Sequence, residues 1–280
     1  MMTIAGATPG HPANPPGASS TLLGEIGTLR ARLAATKAEI RAAQRLRHAV
    51  FSAEFTAPGD ETGIDADGYD ALCDHLIVLD TAIEGTDTDR IIGTYRLLPQ
   101  KKLAGKPFYS DGTFDISALL KRHDGRNFLE LGRSCVLPDY RSKRTIELLW
   151  QGIWAYCRRN DIDVMFGCAS FAGRVPAQHA MALSFLHHHA RAGGDWAVSA
   201  RPGARIDMDF MPPEAIDLKA AMRALPPLIK GYLRLGATFG DGAVIDHAFA
   251  SVDVLVVLPV EQISARYVSY YGADADRFAA

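Results

Sequence analysis

Residues 127–160, NFLELGRSCVLPDYRSKRTIELLWQGIWAYCRRN, change their hydrophobic period part-way along, and that change limits what the chain can fold into. Phe128 to Val136 alternates apolar and polar residues and stops short of Pro138, which predicts a strand carrying Glu130 and Arg133. From Ile146 the apolar residues fall at Leu149, Trp150, Ile153, Trp154 and Cys157, the spacing of one helical face. The turn between them, Asp139 to Thr145, is rich in basic residues. A helix that starts just beyond a strand aims its unpaired first amides, and the positive end of its dipole, at whatever lies above the strand's end. That is a setting for a phosphate.

Taken in order, Met1 to Ser20 holds too few large apolar side chains to offset the entropy of ordering and is expected to be a disordered tail. Thr21 to about Glu54 places Ile26, Leu29, Leu33 and Ile40 at helical spacing, which predicts one amphipathic helix in which Arg47 and Phe51 are neighbours. Ala57 to Asp74 is a loop carrying six carboxylates without calcium-loop spacing, so those acids need basic partners from elsewhere. His75 to Asp80 and Arg90 to Pro99 predict an antiparallel hairpin. Arg96, flanked there by Tyr95 and Leu97, is a strand-core charge that wants a partner or a ligand. Lys101 to Asn127 is a basic excursion, either solvated surface or a docking face for an acidic partner.

Further on, Asp163 to Ser170 predicts a buried strand and Pro176 to His189 a helix whose consecutive His187, His188 and His189 splay apart, so no metal site is expected. A short strand near Ile206 to Phe210, a helix from about Glu214 to Ala224 and a central strand over Val252 to Leu258 complete a mixed α/β sheet. Residues 21–280 therefore form one domain. A net charge of −2 gives no global attraction to nucleic acid or anionic membranes, so any basic site is local. Scattered cysteines and the absence of both a secretory pattern and a span of about 20 apolar residues make a cytoplasmic location the expectation.

Four motifs in register, RLRHAVF (Arg47, Phe51), DADGYD (Asp65, Asp67, Asp70), GTYRLLP (Arg96) and ELGRSCV (Glu130, Arg133), resemble the branch of the GNAT acyltransferase fold that contains acyl-homoserine-lactone and long-chain N-acyl amino acid synthases. CDHLIVLD, FGCASFAG, LSFLHHH and LPPLIKGYLRLGATFGDGAVID extend the resemblance, over about Arg41 to Gly272, to the bacterial ornithine-lipid N-acyltransferases. The resemblance implies a GNAT-like, mixed and mostly antiparallel central sheet flanked by helices, with a C-terminal extension. It also implies transfer of a 3-hydroxy fatty acyl group from acyl carrier protein to the α-amine of L-ornithine, the first step of ornithine lipid synthesis. No cofactor is implied beyond the phosphopantetheine thioester of the donor. Such a product is compatible with a transient contact at the inner membrane.

One departure points to the donor. Where acetyl-CoA-dependent relatives carry a glycine-rich turn that cradles a pyrophosphate, this chain has Arg141-Ser142-Lys143-Arg144-Thr145-Ile146. Side chains in place of glycines suit the single phosphodiester of a carrier-bound phosphopantetheine. Arg141, Lys143, Arg144 and Thr145 are the candidates to hold it and to meet an acidic carrier surface.

The reaction needs a neutral amine, and a free amino-acid amine has a pKa of about 8, so a carboxylate must take a proton directly or through water. Glu130 is the candidate base, with Arg133 beside it. Its structural alternative is a salt bridge with Arg133 or Arg96, which would depress its pKa. The amides around Ser134 to Val136 are candidates to hold the thioester oxygen. Arg47, Asp67, Asp70, Arg96 and Arg133 are expected to form a charge network shaping the acceptor face, with Phe51. Phe51, Trp150, Phe166, Phe171 and Phe185 are candidates for an acyl tunnel or for plain core. An acyl-homoserine-lactone or other N-acyl amino acid synthase, and a non-catalytic carrier-binding module, remain the competing readings.

Overall fold

The computed structural model describes residues 21–55, 62–263 and 267. The expected N-terminal tail and the end of the chain lie outside them. The described chain opens on a hairpin, β1 (Leu22–Ile26) and β2 (Leu29–Leu33), followed by α1 (Lys37–Phe55). This corrects the single helix expected over 21–54. Of the expected stripe in these two strands only Leu29 is buried, beside Leu23 and Ala31, while Ile26 and Leu33 are half-buried. Ile26 pairs with Leu29 across a two-residue turn begun by Gly27 at φ +63, the positive φ that a tight hairpin turn needs.

The expected second hairpin is present as β3 (Asp74–Asp80) and β4 (Ile91–Pro99), and β4 pairs antiparallel with β5 (Phe128–Val136). The basic excursion between β4 and β5 folds into short 3-10 turns and α2 (Ile116–Arg122). A crossover through α3 (Lys143–Arg159) leads to β6 (Val164–Ala172), the one strand that pairs parallel with β5. α4 (Ala180–His189) and α5 (Leu218–Ala224, capped by Asp217) stand where helices were expected. The strand expected near Ile206 to Phe210 is reduced to one bridge between Ile206 and Ala243.

Between α5 and the expected central strand the chain folds as α6 (Pro227–Leu235), β7 (Thr238–Phe239) and β8 (Val244–Asp246). β9 (Ser251–Pro259) contains the expected central run and pairs with β6, β7 and β8. The result is a nine-stranded sheet in the order β1-β2-β3-β4-β5-β6-β9-β7, with β8 also on β9. One face is covered by α3, α4 and α6, whose Leu149, Trp150, Ile153, Leu183 and Ile229 pack on β1 through β9. The other face is covered by α1 over β3 to β5 and by the β4–β5 excursion, through Phe108 and Phe114, over β6 and β9. Among the described residues no helix is long and apolar enough to cross a membrane.

Candidate active site

β5 and β6 are paired for only three residues, from Phe128 opposite Val164 to Glu130 opposite Phe166. Beyond that point they separate, and two local features drive the separation. On β6, a Cβ added to Gly167 would stand 2.1 Å from the carbonyl oxygen of Leu131, so only glycine permits the close approach at the fork. On β5, Tyr95 of β4 faces two residues, Arg133 and Ser134, and Arg133 has φ +53. That is a β-bulge, which bends its strand and re-aims a side chain.

A cavity of about 440 Å³ fills the fork and is open to solvent. Its walls come from both faces of the sheet. The polar wall holds Arg96, Ser110, Glu130, Arg133, Asp246 and Asp253, and the apolar wall holds Leu149, Trp150, Ile153, Pro227, Leu228 and Gly231 of α3 and α6. An apolar cavity with a few convergent polar groups is the usual shape of a small-molecule site.

Glu130 lies at the last paired position of β5, 4% exposed. Its Oε2 accepts from the Tyr109 amide at 2.8 Å, and its Oε1 accepts from the Ser110 amide at 2.8 Å and from the Ser110 hydroxyl. Among the described residues it is in no ion pair, so the structural alternative of a salt bridge to Arg133 or Arg96 is not what forms. The depressed pKa of that alternative is absent as well: burial raises the carboxyl above its ordinary value, although the Ser110 and Tyr109 donors and the charge of Arg96 pull the other way.

Three arginines are matched by three aspartates. Arg47, fully buried on α1, meets Asp65 and Asp70 at 2.7 Å each. Arg96 meets Asp67 at 2.8 Å and Asp70 at 3.2 Å. Arg133 meets Asp65 and Asp67 at 3.2 Å each. The expected network therefore forms, with Asp65 as a further member. It ties α1 and the acidic loop to the sheet, and the cost of burying each charge is offset by its neighbours. Arg96 and Arg133 line the cavity, whereas Arg47, Asp67 and Asp70 stand behind them. Tyr109 lies under both cavity arginines, its ring centroid 5.4 Å from the guanidinium of Arg96 and 5.2 Å from that of Arg133. Phe51 lines the cavity and packs edge-on against Phe249, over which Arg133 also lies at 4.5 Å.

Ser134, Cys135 and Val136 line the cavity, as do Phe51 and Trp150. Phe166, Phe171 and Phe185 do not, and instead belong to or pack on the core, so the tunnel expectation fails for those three. The start of α3 is exposed, with Ser142 accepting from the Thr145 amide as its N-cap. Arg141 and Ile146 line the cavity mouth. Arg141 donates to the Val136 carbonyl at 3.1 Å and pairs with Glu54. Thr145 is buried with its hydroxyl 3.1 Å from that of Ser142, so it serves the cap and not a ligand. Lys143 extends into solvent toward Glu147 at 3.4 Å, and Arg144 leans toward the Gly27 turn.

The sequence reading missed Tyr109, Ser110, Cys168, Ser170, Asp246, Phe249 and Asp253. Asp253 carried a signal, a lone carboxylate inside the β-branched run SVDVLVVLP. Tyr109 and Ser110 lie in a loop without local pattern. Of the three histidines expected to splay, His187 and His188 bring ligand atoms within 4.8 Å of one another and of Asp209, away from the cavity, and His189 is not in that group.

Residues 46–151 match the model of the acetyltransferase (GNAT) domain. The chain is 58% identical over 267 residues to L-ornithine N(alpha)-acyltransferase of Rhizobium meliloti, covering 93% of this chain and 90% of that protein. It is 55% identical over 262 residues to the L-ornithine N(alpha)-acyltransferase of Brucella abortus, covering 92% and 93%. Among solved structures it is similar to the acyl-homoserine-lactone synthase LasI at 12% identity and a TM-score of 0.47, covering 87% of this chain and 95% of that one. At 58% and 55% identity to those two acyltransferases over nearly the whole of each sequence, the chain belongs to the L-ornithine N(alpha)-acyltransferase family of GNAT-domain enzymes.

Proposed function

We propose that this protein transfers a 3-hydroxy fatty acyl group from the phosphopantetheine of acyl carrier protein to the α-amine of L-ornithine, with Glu130 as the proton acceptor. The observation that carries the reading is the fork between β5 and β6, where one cavity has a polar wall for an amino acid and an apolar wall for a chain. The amine enters beside Glu130, whose raised pKa makes it a better base than a carboxylate held among arginines. As the amine nitrogen bonds to the thioester carbon, its proton passes to Glu130 directly or through a water. The carbonyl oxygen gains negative charge next to the amides of Ser134 to Val136. Collapse breaks the carbon–sulfur bond, and the proton leaves with the phosphopantetheine thiol, so amide and free thiol are the products. No protein nucleophile is needed, and burial pushes the Cys135 thiol up to about 12, which suits it poorly to the part.

Arg141 at the cavity mouth and Lys143 and Arg144 on the exposed start of α3 supply positive charge where the carrier's phosphodiester and acidic surface would approach. A location in the cytoplasm, with a transient contact at the membrane that receives the lipid, fits this chemistry. The test is turnover of ornithine with the same 3-hydroxyacyl group on carrier protein and on coenzyme A at equal concentration. Carrier-bound donor is expected to be strongly preferred, and equal rates would overturn the donor assignment.

A further inference from the structure

The charges of the polar wall do not balance. Arg47, Arg96 and Arg133 are matched by Asp65, Asp67 and Asp70, and Arg141 is matched by Glu54. Glu130, Asp246 and Asp253 are left facing the cavity, and among the described residues none of the three is in an ion pair. Asp253 comes from β9 and Asp246 from β8, on the side of the cavity across β6 from Glu130. Asp253 is 8% exposed and accepts from the Ser251 hydroxyl at 2.7 Å. Asp246 is half-buried and accepts from the Ala248 and Phe249 amides at 2.8 and 3.0 Å. Arg133 is the cation whose charge reaches Asp253, but it directs its bonds to Asp65 and Asp67. Burial raises the Asp253 carboxyl above its ordinary value, as does the nearby charge of Asp246, although bonds from the Ser170 and Ser251 side chains pull the other way. Hydroxyls and amides thus hold the two carboxylates without a counter-ion, and a cation sharing the site would stabilise Asp253 in its charged form.

The acceptor carries more positive charge than its reacting amine. L-ornithine has an α-carboxylate, an α-amine that must become neutral and a side-chain ammonium that stays charged. Glu130 can serve only the first of the two nitrogens, and a second anionic group is needed one short methylene chain away. We infer that Asp253 and Asp246 form a subsite for the side-chain ammonium of the acceptor, so that they select a diamino acid and leave its α-amine at Glu130. The inference rests on the proposed acylation of L-ornithine and deepens it. It also explains selectivity for the α-nitrogen, because the distal nitrogen is held as an ammonium that cannot attack.

The test compares L-ornithine with L-norvaline, which has the same carbon chain and lacks the side-chain amine, in the full chain with acyl carrier protein as donor. In the wild-type protein kcat/KM is expected to favour ornithine by about tenfold to a hundredfold, the range of one or two charge-assisted hydrogen bonds. Asp253→Asn and Asp246→Asn are each expected to collapse that ratio, mainly through KM for ornithine. Asp246 is the less buried of the two, so its variant keeps the test available if Asp253→Asn does not fold. Equal use of norvaline by the wild-type protein, or an unchanged ratio in a folded variant, would overturn the subsite while leaving ornithine acylation in place. A wild-type protein that acylates no ornithine at all would overturn the reading beneath it.

Discussion

Replacing Glu130 by Gln separates a proton acceptor from a structural anchor, because the side chain makes bonds of both kinds. The carboxylate accepts from the Ser110 amide and hydroxyl on one oxygen and from the Tyr109 amide on the other. Gln keeps a single acceptor oxygen. If that oxygen stays on Ser110, its NH2 group faces the Tyr109 N–H, donor against donor, and one buried amide loses its partner. The cost is about 1–3 kcal/mol, a fraction of the ~5–15 kcal/mol that holds a domain folded, so the variant should fold with a lowered Tm. Loss of a general base costs about 10²–10⁴-fold in rate, far more than a shifted turn explains. The assay is single-turnover release of the carrier thiol with saturating ornithine across pH. In the wild-type protein the rate should fall as pH drops through a carboxyl pKa above the ordinary 4.5, because burial raises it. In the variant that lower limb should vanish, leaving only the rise set by the amine's own pKa of about 8. A folded variant within about tenfold of the wild-type rate, or one that retains the lower limb, would refute Glu130 as the base.

Two further perturbations address the frame around it. Gly167→Ala places a methyl group 2.1 Å from the Leu131 carbonyl oxygen, so β5 and β6 must part earlier. The urea midpoint should drop by the equivalent of about 1–3 kcal/mol or more, and a midpoint equal to wild type would contradict the close approach at the fork. Asp70 feels burial raising its pKa, but the charge of Arg47 and bonds from the Asp67 amide, Arg47 and Gln44 prevail and bring it down to about 2 from 3.8. A depressed folded pKa means that its stabilisation is complete above pH 3.8 and lost as pH falls toward 2. Arg47→Ala should therefore cost about 3–5 kcal/mol at neutral pH and flatten the acid loss between those values, and a variant with the wild-type pH slope would show that the pair is not its source.

Much of the site's raw material was legible in the order of residues, and its assembly was not. The change from alternation to helical spacing around Pro138 placed β5 and α3, and the lone charges Arg96, Glu130 and Arg133 stood out because apolar strands seldom carry them. Residues 21–33 were misread because Ile26, Leu29 and Leu33 fall at helical spacing only by running across a hairpin turn, and pairing with β3 is what gives the strand its partner. The fate of each charge depended on distance through space. Glu130 and Arg133, three places apart along a strand, left an ion pair open as an alternative, yet the bulge at Arg133 turned that guanidinium toward Asp65 and Asp67 and left Glu130 to Ser110 and Tyr109. By itself the sequence determined which local elements carry the lone charges, because propensity and period act between near neighbours, while acyl-transfer chemistry came from the resemblance of its motifs to a family. Tertiary structure decided that β5 and β6 fork, and that Asp246 and Asp253 close the far wall. Both depend on contacts between residues far apart in the chain, where a glycine's missing side chain and an uncompensated charge acquire meaning only once packed.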